Sequence, residues 1–186
     1  IKIFLASEYH QNMEKGCDIW MTDISSSKYN PRTFKIPERP EMWHYYCHLP
    51  IRFQMRAPLT LAPNMLIDNR AIEHRIALWM SWYYGAKGVF IYAGNHGWGQ
   101  LKNYPEKTEI KNIQYKYPYG GIHHGNGFLI YPPVKKGGNV LPSLRLKILR
   151  EEIEDIAIFE GIRKKYGEKW EKEISPVPEV FVHPHY

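Results

Sequence analysis

Residues 88–99 read GVFIYAGNHGWG, an apolar run broken off by Asn95, His96 and Trp98 with glycines between them. An amide such as Asn95 both donates and accepts hydrogen bonds, which is what a sugar hydroxyl requires. Trp98 adds a flat apolar face of the kind that covers the C–H face of a pyranose ring. Gly94 lets the backbone turn and lets a ligand approach closely. Rings and polar groups also meet elsewhere. Tyr45, Tyr46 and His48 close one β-rich run, and Asp18 and Trp20 lie in another. Taken alone, the 88–99 stretch equally describes a Gly-rich turn with a capping Asn and a core Trp.

The elements that must carry these groups follow from the hydrophobic pattern. IKIFLAS (1–7), CDIWMT (17–22), EMWHYYC (41–47) and GVFIYAG (88–94) read as strands, with a further short strand at GFLIYP (127–132). IDNRAIEHRIALWMSWYYG (67–85) reads as a helix capped by Asp68 or Asn69 and closed by Gly85. Its expected buried face holds Ile72, Ile76, Trp79 and Tyr83. SLRLKILREEIEDIAIFEGIRKKYG (143–167) is the strongest helix, capped by Ser143. Leu146, Leu149, Ile153, Ile156 and Ala157 make its apolar stripe, with Arg150 and Glu154 paired outside. Residues 25–40 and 95–124 are long loops. Strands alternating with helices argue a parallel sheet in an α/β fold. Four principal strands are too few to close a (β/α)8 barrel but enough for half of one, and barrel chemistry lies beyond the carboxyl ends of the strands. The expected fold is therefore the C-terminal half of a (β/α)8 TIM-type barrel over residues 1–167, with long loops at the carboxyl ends of its strands. Residues 168–186 are expected to form a tail or an extra strand.

Single residues sort by the same reasoning. Arg145 falls in the first turn of a helix, where a cation opposes the helix dipole; a ligand or a partner at the pocket rim is one explanation. Asp68 reads as a helix cap and Arg75 as half of an ion pair. Glu154 and Asp155 lie deep in the last helix and read as structural. Glu8, after the first strand, is the other candidate acid. His123–His124 and His183-x-His185 lack a third ligand at matching spacing, so no metal is expected, and no cofactor. Tyr104, Tyr115, Tyr117 and Tyr119 crowd the long loop, as a stacking platform or as packing.

Composition narrows the class. Of 186 residues, 44% are hydrophobic and 15% aromatic, the profile of a chain that builds a core. The net charge of +6 comes from Lys and Arg interspersed with Glu, so nucleic acid is not the expected partner. No run of about 18 apolar residues is present, so no helical membrane span is expected. Cys17 and Cys47 show no redox or metal spacing and read as free thiols. A first residue of Ile1 already inside a strand pattern suggests a piece of something longer, since a whole barrel takes ~250 residues.

Five motifs follow in order. They are Trp43-x-Tyr45-x-Cys47; Ile67-Asp68 with Arg75 and Trp79; Gly88, Tyr92, Asn95 and Trp98; Gly125-x-Gly127-x-Leu129-x-Tyr131-Pro132; and Ser143 to Asp155. As an ordered set covering roughly residues 17–160, they resemble the C-terminal part of the glycoside hydrolase family 123 catalytic domain. The resemblance implies a (β/α)8 barrel cleaving β-linked N-acetylgalactosamine or a related sugar by a substrate-assisted route, an exception to the two-carboxylate scheme. The sugar's acetamido oxygen attacks the anomeric carbon, an Asp orients it, and an adjacent Glu is the general acid. This sequence contains no Asp-Glu dipeptide. It also carries Asn126 where the family often has Asp. No catalytic residue is therefore assigned. The chain is expected to supply the sugar-binding wall, from Trp43, Tyr45, Tyr92, Asn95, Trp98 and Arg145. Its expected partners are a glycan and the missing barrel half, or a second copy of itself. The alternative is a non-catalytic carbohydrate-binding protein.

Overall fold

The computed structural model describes residues 2–6, 15–23, 35, 40–47, 63–96, 98, 124–134 and 137–167. The chain forms β1 (Phe4–Ala6), β2 (Ile19–Asp23), β3 (Glu41–Tyr46), α1 (Ala71–Tyr83), β4 (Gly88–Ile91), β5 (Ile130–Tyr131), β6 (Leu141–Pro142) and α2 (Leu144–Tyr166). The first four strands pair in the order β1-β2-β3-β4, all parallel. This is the mixed α/β architecture that the alternation of patterns predicts. The strand expected at 127–132 is different: its Ile130–Tyr131 pairs antiparallel with Leu141–Pro142 in a separate two-stranded sheet.

Register sorts the side chains into two faces, because alternate strand residues point to opposite sides. Trp20 and Thr22 lie beside Met42 and His44, and Tyr46 continues that row. All five are buried. This face meets α1. Tyr46 Oη donates to the Ala77 carbonyl at 2.9 Å and lies 3.0 Å from Ser81 Oγ, which is also 3.0 Å from His44 Nδ1. Burial pushes the His44 pKa down to about 3, so the ring is neutral and serves the core. Met65, Ile76, Met80, Leu129 and Leu149 complete this core, each worth ~1.5–3 kcal/mol on burial.

Helix α1 begins later than its sequence pattern predicts. Arg70, not Asp68 or Asn69, is the N-cap residue. The Arg70 N–H donates to Glu73 Oε2 at 2.8 Å, so a buried carboxylate inside the first turn takes the capping role. Asp68 instead accepts from His124 Nδ1 at 2.6 Å. The expected buried stripe is also rotated. Ile72 and Tyr83 are exposed, while Glu73, His74, Ile76, Ala77, Met80 and Ser81 face inward. Gly85, with φ of +78°, ends the helix as expected.

Helix α2 opens on Ser143, whose hydroxyl accepts from Leu146 N at 3.1 Å. It packs on α1 through Arg75, which donates to Asp155 from Nε at 3.2 Å and Nη2 at 3.0 Å. Trp79 Nε1 adds a bond to the same carboxylate at 3.1 Å. Phe159 sits between the rings of Trp79 and Trp82. Arg75, Glu154 and Asp155 are thus structural. Of the expected stripe, Leu149 is buried, but Ile153 and Ala157 lie outside it; Arg145, Ile148 and Glu152 are buried instead.

Gly88 is where sheet and site meet. A Cβ there would lie 2.5 Å from the Trp43 ring. Gly88→Ala is expected to cost about 1–3 kcal/mol, read by urea unfolding. A loss below 0.5 kcal/mol would show that the indole moves aside freely.

Candidate functional site

The second face of the sheet carries rings. Trp43 and Tyr45 stand two residues apart on β3, paired with Gly88 and Phe90 of β4. Trp43 meets Phe4 edge to face at 5.9 Å, and its Nε1 donates to Glu41 at 2.8 Å. Tyr45 lies 5.6 Å from the Phe90 ring. Phe4 and Phe90 are 49% and 44% exposed, so this face offers open aromatic surface. Trp43 sits low on the strand, against the first residue of β4, and Tyr45 sits nearer the carboxyl end.

Beyond β4 the chain turns sharply. Tyr92 N still bonds the Tyr46 carbonyl at 2.7 Å, extending the sheet by a step. Ala93 then adopts φ of +52°, a strained conformation for a side-chain-bearing residue. Asn95 bridges to Phe128, and His96 N donates to the Gly127 carbonyl at 2.9 Å. The Tyr92 hydroxyl lies 3.1 Å from His96 Nδ1. Gly127 has φ of +79°, and a Cβ on it would come within 2.7 Å of His96 Cβ, so only glycine admits the imidazole there. Trp98 N bonds the Asn95 carbonyl at 3.4 Å. Tyr92, Asn95 and Trp98 are thereby gathered with His96 and the Gly125-Asn126-Gly127 turn at the carboxyl end of β4.

Arg145 is not at a rim. It is 4% exposed, and its guanidinium donates to the carbonyls of Met65, Gly125 (2.8 Å) and Phe128 and to the Tyr131 hydroxyl (2.9 Å). These four bonds answer the unfavourable dipole position, and they clamp the turn rather than reach for a ligand. Asp18 and Trp20 also fall outside the site. Asp18 lies at the amino end of β2, where it accepts from Ile3 N at 2.7 Å, and Trp20 is fully buried on the helix face. In their place Asp23 ends β2, paired in register with Tyr45. Among the described residues it is the carboxylate that a strand's carboxyl end carries. Composition alone hid it, because it reads as the first polar residue of the following serine-rich loop. His96 and Asn126 were hidden too; the signal for each is its place between or beside glycines.

Glu8, His48, Tyr104, Tyr115, Tyr117, Tyr119, His123, His183 and His185 lie outside the described residues. Within the described residues, no three His, Cys, Asp or Glu side chains are grouped to hold a metal ion. No described helix is long and apolar enough to cross a membrane.

The family model of the glycoside hydrolase 123 catalytic domain matches residues 1–162. The chain belongs to that family. A family 123 glycoside hydrolase from Clostridium perfringens, solved in a study of glycolipid glycan hydrolysis, has the same fold over the shared region. The TM-score is 0.60 at 19% identity, over 95% of this chain and 29% of that one. The glycoside hydrolase 123 member described here thus spans under a third of that relative's length. No curated protein matches it.

Proposed function

We propose that this chain is the sugar-binding wall of a glycoside hydrolase catalytic domain, residues 1–167 forming half of a (β/α)8 barrel. Its substrate class is β-linked N-acetylhexosamine of the N-acetylgalactosamine type. The observation that carries this is the open row of Phe4, Trp43, Tyr45 and Phe90 on the sheet face away from α1. In a closed barrel that face lines the interior, and beside its carboxyl end stand Asp23, Tyr92 and Asn95. Tyr45 and Trp98 stack on the ring, Trp43 supports Tyr45 from below, and Asn95 binds a hydroxyl.

The proposed reaction is substrate-assisted. The acetamido oxygen attacks the anomeric carbon, and the glycosidic oxygen leaves with a proton from a general acid supplied by the other half of the domain. The surfaces left open support that division. A groove of about 520 Å³ beside β4 is lined by Leu78, Val89, Ile91, Leu146, Leu149 and Ile153. Apolar surface of this kind marks an interaction face, filled here by the other barrel half or by a second copy.

The test is hydrolysis of a chromogenic β-N-acetylgalactosaminide by this chain, alone and mixed with a family 123 N-terminal half that carries an Asp-Glu strand end. Activity is expected only in the mixture, and Asn95→Ala is expected to cut it about tenfold or more. Activity of the chain alone would relocate the acid to this sequence, with Glu8 and Asp23 the first to replace. Glycan binding without hydrolysis in either case would leave a carbohydrate-binding protein.

A further inference from the structure

Two donors beyond β4 are shut off from water and meet no acceptor: the Asn126 amide nitrogen Nδ2 and the Trp98 indole Nε1. Asn126 as a whole is only 3% exposed. Both belong to one patch, since His96 N bonds the Gly127 carbonyl and Trp98 N bonds the carbonyl of Asn95, the residue bridged to Phe128. Unmet buried donors are rare in folded proteins, because each forfeits a hydrogen bond it had in water. A positive charge lies directly beneath them. The Arg145 guanidinium donates to the carbonyls on both sides of Asn126, at Gly125 and Phe128. Its partners are carbonyls and a phenol, with no carboxylate among them.

We propose that Asn126 and Trp98 form a subsite for acceptor oxygens of the bound sugar, resting on the glycan-binding reading above. The chemistry selected is an oxygen with lone pairs and no proton to place: an amide carbonyl, or a carboxylate on the ring. A hydroxyl must also find an acceptor for its own proton, and two N–H groups over a buried cation offer none. Trp98 then acts through the edge of its indole as well as its face.

The test uses the full chain, labelled with ¹⁵N, and methyl β-glycosides of N-acetylgalactosamine, galacturonic acid and galactose. The Asn126 side-chain amide and Trp98 indole signals are assigned by their loss in Asn126→Asp and Trp98→Phe. Both signals are expected to shift with N-acetylgalactosamine or galacturonic acid and to stay put with galactose; which of the first two acts identifies the oxygen. Asn126→Asp turns a donor into an acceptor and is expected to weaken binding about tenfold or more. Its Tm is expected to hold or rise, because Arg145 gains a countercharge. Trp98→Phe keeps a ring and is expected to lose affinity with the N–H. Stationary signals, while Tyr45→Ala abolishes binding, would overturn the subsite and leave the glycan reading standing. Equal shifts with galactose would overturn the selection of acceptor oxygens. Failure of the unmodified chain to bind any of the three would overturn both readings.

Discussion

Replacing Arg145 by methionine is expected to cost about 3–5 kcal/mol, enough to unfold much of a marginally stable chain. The methionine keeps most of the volume and removes every donor. The carbonyls of Met65, Gly125 and Phe128 and the Tyr131 hydroxyl then lose a shared partner. Each buried acceptor left unmade costs about 1–3 kcal/mol, partly recovered by relaxation. Arg145→Lys is expected to recover little, because an ammonium cannot span acceptors placed for a planar fork. Urea unfolding of both variants checks this. A loss under 1 kcal/mol for Arg145→Met would mean that the guanidinium is not the clamp on the turn. That result would restore the sequence expectation of a ligand-facing arginine.

The second large effect is a gain. Glu152 lies on the inner side of α2, fully buried, and neither carboxylate oxygen meets a hydrogen-bond donor. Burial, with the Asp155 charge adding to it and Arg75 opposing it, raises its pKa from 4.5 to about 9. Below pH 4.5 the carboxyl is protonated in folded and unfolded chains alike, and its ionisation costs the fold nothing. As pH rises further, the unfolded chain releases the proton while the folded chain keeps it. Stability therefore falls progressively between about pH 4.5 and pH 9. Glu152→Gln removes this slope. The variant is expected to match the parent near pH 4 and to exceed it by roughly 2 kcal/mol or more at pH 8, one pKa unit being about 1.4 kcal/mol. Thermal unfolding across that range checks the sign. A variant less stable than the parent at pH 8 would show that Glu152 is ionised and paired in the folded chain.

The outcome at α1 shows why part of this was legible in the sequence and part was not. Alternating β-formers located all four parallel strands, because the period of two is set by the backbone and survives any packing. Helix existence was equally legible, and so were local endings such as Ser143 and Gly85, whose partners lie within a few residues. The inward face of α1 was not, because Glu73 and His74 are buried through contacts that hydropathy does not count. Glu73 bonds the Arg70 N–H, and His74 Nδ1 bonds the Asn64 carbonyl at 2.7 Å.

The site divides along the same line. The sequence by itself determined the family, the parallel strands, and the cluster of Tyr92, Asn95 and Trp98, which one strand and its exit turn deliver together. Only the tertiary structure decided the rest. It withdrew Arg145 into the turn, turned Trp20 to the helix face, set Asp23 opposite Tyr45, and brought Asn126 against His96 and Trp98. The physical reason is range. A strand's periodicity and a cap are local and are written in neighbouring residues. A charge on α2 that is satisfied by carbonyls from Met65 to Phe128 depends on chain segments up to 80 residues apart, which meet only when the core closes.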